Sequence, residues 1–352
     1  MSRKVAVLVA GSWGTALASV LAGNGHEVFL WSHSQEQVDE INQYHTNKSL
    51  LKAVTLSEKI VATHSMEEAV RDAEAVVFAA PSSVMREVAA KASEYLQPNT
   101  LLIHATKGFE PETLKRMTVV LAEEIPAADP SRIVVLSGPS HAEEVVLRCP
   151  TTIVVAADDI LAAEAAQDLF MSSYFRVYTN PDVAGVEIGG ALKNIIALGV
   201  GMSDGLGFGD NAKAALMTRG LAEIARLGIQ LGANPLTFAG LAGVGDLIVT
   251  CTSKHSRNWN AGYLLGQGKP LDEVLEHMGM VVEGVKTTRS AYSLARSQDI
   301  PMPITDALYA VMFENKPPKE AVEDLMGRVR THEIEEIAQS AASNWIPREE
   351  ER

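Results

Sequence analysis

Val5-Ala6-Val7-Leu8-Val9-Ala10-Gly11-Ser12-Trp13-Gly14 opens the chain's order. Val5 to Val9 form an unbroken apolar run, as expected of a strand covered on both faces. Gly11 to Gly14 predict a turn, and Thr15 to Ala22 continue at helical spacing until Gly23-Asn24-Gly25 stops them. Strand, glycine turn and helix in succession is the context of a dinucleotide-binding site. Gly11 would admit a pyrophosphate to the helix N-terminus, and Gly14 would let the helix pack on the strand. Val9 stands where the first glycine of such a turn supports its tight bend, so an ordinary βα turn is the competing reading.

Further apolar strands are expected at Glu27 to Trp31, Ala75 to Ala80, Leu101 to Ala105, Ile133 to Leu136 and Thr152 to Ala156. Helical spacing at Ser83 to Tyr95 and Thr113 to Ala122 lies between them. This alternation predicts an α/β domain with a parallel, doubly wound, Rossmann-type sheet over residues 1–180. From Pro181 onward the spacing is helical, at 183–200, 211–228, 284–297 and 303–314. The expectation is an all-helical C-terminal domain over 181–340 and a flexible tail at 341–352, with Pro347 to Arg352 frayed.

The 352 residues carry a formal net charge of −14. That argues against nucleic acid or anionic membrane surfaces as partners, since both need a basic patch. An anionic metabolite would need a local cluster of Lys, Arg and helix N-termini. Cys149 and Cys251 are far apart in sequence and lack neighbours at metal-ligand spacing, so neither a disulfide framework nor a metal site is expected. The N-terminus shows no signal-peptide pattern, and Glu187 and Lys193 interrupt the longest apolar stretch. The expectation is a cytoplasmic protein without integral membrane association; a homodimer is compatible with it.

The end of the second strand bears on the cofactor. A carboxylate there would hold a ribose 2′-hydroxyl and repel a 2′-phosphate. Trp31-Ser32-His33-Ser34 offers donors and no acid before Glu36, which favours NADP while allowing NAD. The alternative is that His33 is a plain loop residue.

Lys193 lies in an apolar helix, Val186-Glu187-Ile188-Gly189-Gly190-Ala191-Leu192-Lys193-Asn194. A lysine buried there must find a partner or surrender its proton more readily, which makes it usable as an acid or base near neutrality. The bland alternative is a stem that snorkels to solvent. Asp246, in Gly243-Val244-Gly245-Asp246-Leu247, could pair with Lys193, accept from a substrate hydroxyl, or cap a helix. Lys107, in Ala105-Thr106-Lys107-Gly108, and Ser137-Gly138-Pro139-Ser140 follow strands at the edge where doubly wound sheets bind ligands. Solvation and helix capping are their ordinary uses. Ser256-Arg257-Asn258 precede a helix running to Leu265, a setting that suits a phosphate as well as it suits a capped surface helix.

Together with Val281-Val282-Glu283-Gly284, these blocks occur in family order and resemble the bacterial-type NAD(P)-dependent glycerol-3-phosphate dehydrogenases. The resemblance implies a Rossmann domain, a helical domain and an active site between them. It implies that Lys193 gives and takes the proton, and that Lys107 contacts substrate and cofactor. Gly138, Ser140, Asp246, Arg257 and Asn258 would hold the glycerol phosphate. Gly11, Ser12, Trp13, Gly14, His33, Ala142, Ser256, Arg257, Val281 and Glu283 would lie at an NAD(P)H dinucleotide. The family supplies glycerol 3-phosphate for phospholipid synthesis. Val9 departs from its pattern. Another hydroxyacid dehydrogenase of the same build, or a non-catalytic NADP-binding regulator, are the competing readings; Asp246 and Ser256-Arg257-Asn258 argue against the first, and Lys107, Lys193 and Arg257 against the second.

Overall fold

The computed structural model describes residues 2–52 and 54–330. The expected tail at 341–352 and the end of the helical domain at 331–340 lie outside the described residues. Eight strands form one sheet: β1 (Lys4–Leu8), β2 (Glu27–Trp31), β3 (Ile60–Thr63), β4 (Ala75–Phe78), β5 (Leu101–His104), β6 (Val134–Ser137), β7 (Thr151–Ala156) and β8 (Phe175–Asn180). Their order is β3-β2-β1-β4-β5-β6-β7-β8. The first six are mutually parallel.

Two features correct the sequence reading. β7 runs antiparallel to β6, and β8 runs parallel to β7, so the sheet is only mostly parallel. The strands β3 and β8 were not expected. β3 has four residues, too few to display a period, and β8 alternates buried Phe175 and Val177 with exposed Arg176 and Tyr178 as a half-covered edge strand does. The helix expected from Thr113 starts only at Met117. Thr113 instead turns its hydroxyl to Glu110.

Chain order reverses direction across the sheet between β1 and β4, which opens a crevice at the carboxyl ends of the strands. The segments after β1, β4, β5 and β6 all end on that rim. They carry Gly11, Ser82, Lys107 and Ser140.

The helix Val183–Gly205 starts where Asp182 accepts from Gly185 N at 2.9 Å, and every residue from Gly185 to Ser203 is buried. By length and composition it could cross a membrane, yet nearly all of it is enclosed by protein. Its closest neighbour is the helix Arg257–Gly266. A β-carbon placed on Gly201 would lie 2.0 Å from the Trp259 carbonyl oxygen, and one on Gly205 2.2 Å from that of Tyr263. In return, a β-carbon on Gly262 would lie 2.1 Å from the Leu198 oxygen, and one on Gly266 2.3 Å from that of Met202. Glycines four apart on both helices thus allow backbone-to-backbone contact that no larger residue permits. This contact sets the depth at which Arg257 and Asn258 meet the long helix.

Gly262→Ala is expected to destabilise the protein by about 1–3 kcal/mol in chemical denaturation, because two backbones must separate. Gly23→Ala, whose new β-carbon would meet only the Tyr174 hydroxyl at 3.9 Å, should change stability by less than about 1 kcal/mol. Equal effects would show that the glycine contact does not hold these helices together.

Candidate active site

Two adjacent glycines on the long helix admit the groups that surround Lys193. A β-carbon on Gly189 would stand 2.6 Å from the Ala242 oxygen, and one on Gly190 would stand 2.7 Å from Ser137 Oγ and 3.6 Å from Lys107 Cγ. Gly189 therefore lets Leu241–Gly245 approach, a single π-helical turn that feeds directly into the helix Asp246–Thr252. Isolated π turns are frequent at functional sites because they redirect the residue that follows. Here that residue is Asp246. Gly190 lets the end of β6 and the Lys107 stem pass on the other side.

The result is a buried carboxylate between two ammoniums. Lys193 Nζ donates to Asp246 Oδ1 and, at 2.7 Å, to Thr250 Oγ1. Lys107 Nζ donates to Asp246 Oδ2 at 2.8 Å and to the Gly138 carbonyl at 3.1 Å. The Thr250 hydroxyl donates its own hydrogen bond to the Asp246 backbone carbonyl at 2.6 Å, so towards Lys193 it acts as the acceptor. The Asp246 side chain is 1 % exposed, that of Lys193 7 % and that of Lys107 18 %.

Burial pulls the Lys193 ammonium down from the ordinary lysine value to about 7; Asp246 resists, and the neighbouring Lys107 charge reinforces the fall. Burial opposes ionisation of Asp246, but the two lysines overcome it and hold its carboxyl below the usual range. The cleft therefore contains a proton donor poised at neutrality and one net positive charge when both lysines are protonated.

Asn258 joins this centre to the next helix. Its amide donates to Asn194 Oδ1 at 2.8 Å, one residue beyond Lys193, and its oxygen accepts from Gly284 N at 2.8 Å. Ser256 is buried and caps the helix by accepting from Trp259 N, while Arg257 is exposed and donates to the Val281 carbonyl at 3.0 Å. Glu283 is half-buried beside Ser82, whose hydroxyl donates to its carboxylate at 3.3 Å. Burial raises its carboxyl above the usual range, against the pull of Lys286. Ser140 turns its hydroxyl back to the Gly138 carbonyl at 2.9 Å. Ala142 is buried at the start of the helix Ala142–Val146.

At the other end of the crevice Gly11 is the N-cap of the helix Ser12–Gly23, with no side-chain cap and no acid in its first turn. A β-carbon on Gly11 would meet nothing within 4 Å, so open space faces these N–H groups. One on Gly14 would lie 2.1 Å from the Val9 oxygen, so helix and strand need a glycine there. The Trp13 indole N–H is buried with no partner among the described residues. This cradle fits a dinucleotide pyrophosphate. Val9 itself adopts φ +81°, a backbone conformation that costs a β-branched residue of order 1–3 kcal/mol.

Past β2, Ser32 is buried and gives its hydroxyl to Gln37, and Ser34 caps the helix Gln35–Tyr44. Of the three donors read there, His33 alone is exposed and uncommitted to a cap.

The structure thus brings Lys107, Gly138, Lys193 and Asp246 into one contact network and ties Asn258 to it through Asn194. Ser12, Trp13 and Gly14 lie at the other end of the crevice. Sequence reading passed over Thr250, whose only signal was its position four residues after Asp246 on one helix. It also passed over Glu187, noted only as a break in an apolar run. Glu187 is buried and accepts from Arg116 at 2.6 Å and from Thr118 N and Oγ1 at 2.9 and 2.8 Å, pinning the helical domain to the sheet domain. His141 forms a tilted ring pair with His255 at 5.9 Å, across the same cleft. Burial lowers its imidazole below the usual histidine range, with a weaker contribution from the Lys193 charge.

Residues 4–163 match the family described as NAD-dependent glycerol-3-phosphate dehydrogenase N-terminus, and residues 182–323 match its C-terminus. The chain belongs to the NAD-dependent glycerol-3-phosphate dehydrogenase family. It is 60 % identical over 334 residues to the glycerol-3-phosphate dehydrogenase [NAD(P)+] of Bacillus cereus, covering 95 % of this chain and 98 % of that one. The enzyme of the same name from Bacillus licheniformis is 58 % identical over 335 residues, covering 95 % and 97 %. The crystal structure of glycerol-3-phosphate dehydrogenase from Coxiella burnetii superposes with a TM-score of 0.89 at 35 % identity, covering 93 % of this chain and 99 % of that one.

For this dehydrogenase Asp246→Asn has a signed consequence. It removes the charge that holds the Lys193 proton, so Lys193 should titrate below about 7. The alkaline limb of kcat/KM for ketone reduction should move to lower pH, with turnover at neutrality reduced by about tenfold or more. An unmoved or rising limb would remove Asp246 from control of that proton.

Proposed function

We propose that the cleft interconverts dihydroxyacetone phosphate and sn-glycerol 3-phosphate in the cytoplasm, supplying glycerol 3-phosphate for phospholipid synthesis. Residues 1–180 serve the dinucleotide and 181–340 the substrate. The observation that carries this reading is the buried Lys193 ammonium, poised at about 7 between Asp246 and Thr250 with a second lysine beside it.

Lys193 gives its proton to the ketone oxygen as negative charge gathers there, and in the reverse direction takes the hydroxyl proton as the neutral amine. Lys107 adds positive charge at the same oxygen and makes Lys193 readier to give up its proton. Asp246 and Thr250 hold the Lys193 stem in one orientation. Arg257, Asn258 and the N–H groups at the start of their helix take the phosphate, assisted by Gly138 and Ser140, and so fix where the carbonyl sits.

A nicotinamide dinucleotide supplies or receives the hydride when bound. Gly11, Ser12, Trp13 and Gly14 would hold its pyrophosphate, with His33, Lys107, Ala142, Ser256, Arg257, Val281 and Glu283 also lining its site. His33 in place of a carboxylate favours NADP over NAD.

The proton role has opposite signs in the two directions. Reduction requires the ammonium, so its kcat/KM should fall as pH rises through about 7, whereas oxidation should rise through the same value. Lys193→Ala should lower kcat by about 10²–10⁴-fold with cofactor affinity kept. Near-normal turnover in that variant, or parallel pH profiles in the two directions, would remove Lys193 from the proposed role. Arg257→Ala should chiefly raise KM for the phosphorylated ketone. An effect confined to non-phosphorylated ketones would contradict its assignment.

A further inference from the structure

Val9 occupies a backbone conformation, φ +81°, that suits glycine, and something must hold it there. The neighbouring Ala10 shows what does. Its N–H donates to the Trp31 carbonyl at 2.9 Å, which fixes the peptide plane before it. Its carbonyl accepts twice, from Gln37 Nε2 at 2.8 Å and from Asn47 Nδ2 at 3.1 Å, which fixes the plane after it. Both lone pairs of that carbonyl are used. The Leu8 carbonyl accepts from Ala79 N at 3.0 Å, which holds the plane before Val9. With the planes on both sides of Ala10 pinned as well, no compensating rotation there lets Val9 leave its strained state.

Asn47 is built for this task. It is 1 % exposed, donates also to Thr15 Oγ1 at 2.9 Å, and accepts from Gln37 Nε2 at 3.1 Å. One side chain therefore ties the turn to the helix behind it and to the helix Gln35–Tyr44. The segment that carries it is anchored by Glu40, which accepts from Thr46 Oγ1 and Lys48 N at 2.8 Å each. It is closed by Leu51 N bonding to the Asn47 carbonyl at 2.8 Å. The same segment reaches the glycine turn again where Ser12 Oγ donates to the Leu50 carbonyl at 3.3 Å. Leu51 and Leu56 seat it in the core.

We propose that Asn47, with Gln37, is a positioning residue for the dinucleotide: the pair clamps the Ala10 carbonyl and thereby holds a valine-containing turn in the shape that a glycine would adopt unaided. The segment after Tyr44 is thus a brace for the nucleotide turn. The proposal rests on the reading that the pyrophosphate docks at Gly11 to Gly14. It makes the need for Asn47 conditional on Val9, which a merely structural asparagine would not be. With glycine at position 9 the turn holds its shape without help.

The test is a double-mutant cycle on the full-length protein: wild type, Asn47→Ala, Val9→Gly and the double variant. NADPH dissociation constants come from nucleotide fluorescence, and melting temperatures from the cofactor-free protein. Asn47→Ala should weaken NADPH about tenfold, with KM for dihydroxyacetone phosphate changed by less than about threefold. Val9→Gly should leave NADPH affinity unchanged or tighten it. In the Val9→Gly background, Asn47→Ala should weaken NADPH by less than about threefold. Equal losses in the two backgrounds would overturn the clamp, as would a large loss from Val9→Gly alone. Gln37→Ala run through the same cycle decides the matter should Asn47→Ala fail to fold. Melting temperatures that couple between positions 9 and 47 while NADPH affinity stays flat in all four proteins would keep the clamp but overturn the docking of the cofactor at this turn.

Discussion

A single carboxylate, Asp246, shares its two oxygens between ammoniums from different parts of the chain, and the arrangement of the cleft follows from that sharing. Lys107 arrives from the rim of the sheet and Lys193 from the middle of the helical domain, so the contact exists only when the two are seated together. Taking three charges out of water is expensive, and such a cluster is poor evidence for stability. Its consequence is chemical. Burial destabilises the charged form of Lys193, Lys107 adds repulsion, and Asp246 restores enough attraction to leave the proton exchangeable near neutrality. When both lysines are protonated, two cations against one anion also make a local positive site on a chain whose net charge is −14. An anionic substrate therefore meets a field unlike that of the surface as a whole.

The helix Val183–Gly205 is the spine on which this is assembled. Four of its glycines are places where another element comes closer than a β-carbon would permit. Gly189 admits the π turn before Asp246 and Gly190 the end of β6, while Gly201 and Gly205 admit the helix that begins at Arg257. Near its start Glu187 binds Arg116 and Thr118 of the sheet domain. The helix is thus held from both domains at fixed depth, and the groups aimed into the cleft gain their precision from backbone contact. The brace at Asn47 does the equivalent work at the nucleotide end.

Much of this could be read in advance. The unbroken apolar run at Val5 followed by glycines indicated a doubly wound sheet, because covered parallel strands have no polar face. Lys193 stood out because a charge in an all-apolar helix must be satisfied or titrate. Other elements escaped. β3 is too short to show a period, and β8 has the alternation of an edge strand with exposed polar positions. Strand direction in β7 follows from the connection across the sheet edge, about which residue spacing says nothing. Thr250 and Asn47 are common polar residues in unremarkable surroundings. Their importance lies in what stands opposite them: an ammonium in one case, the carbonyl that follows a strained valine in the other.

The residues by themselves determined the class of fold, the break from strands to helices near residue 180, and the set of unusual side chains, because these depend on period and on the energetic oddity of a charge among apolar neighbours. Only the tertiary structure decided which of those side chains share a proton, since Lys107, Lys193 and Asp246 are separated by long stretches of chain and meet through glycine-sized gaps between elements. It likewise decided that Val9 is strained, for its backbone is held by bonds to residues distant in sequence: Ala79 N donates to the Leu8 carbonyl before it, and the Ala10 N–H after it donates to the Trp31 carbonyl.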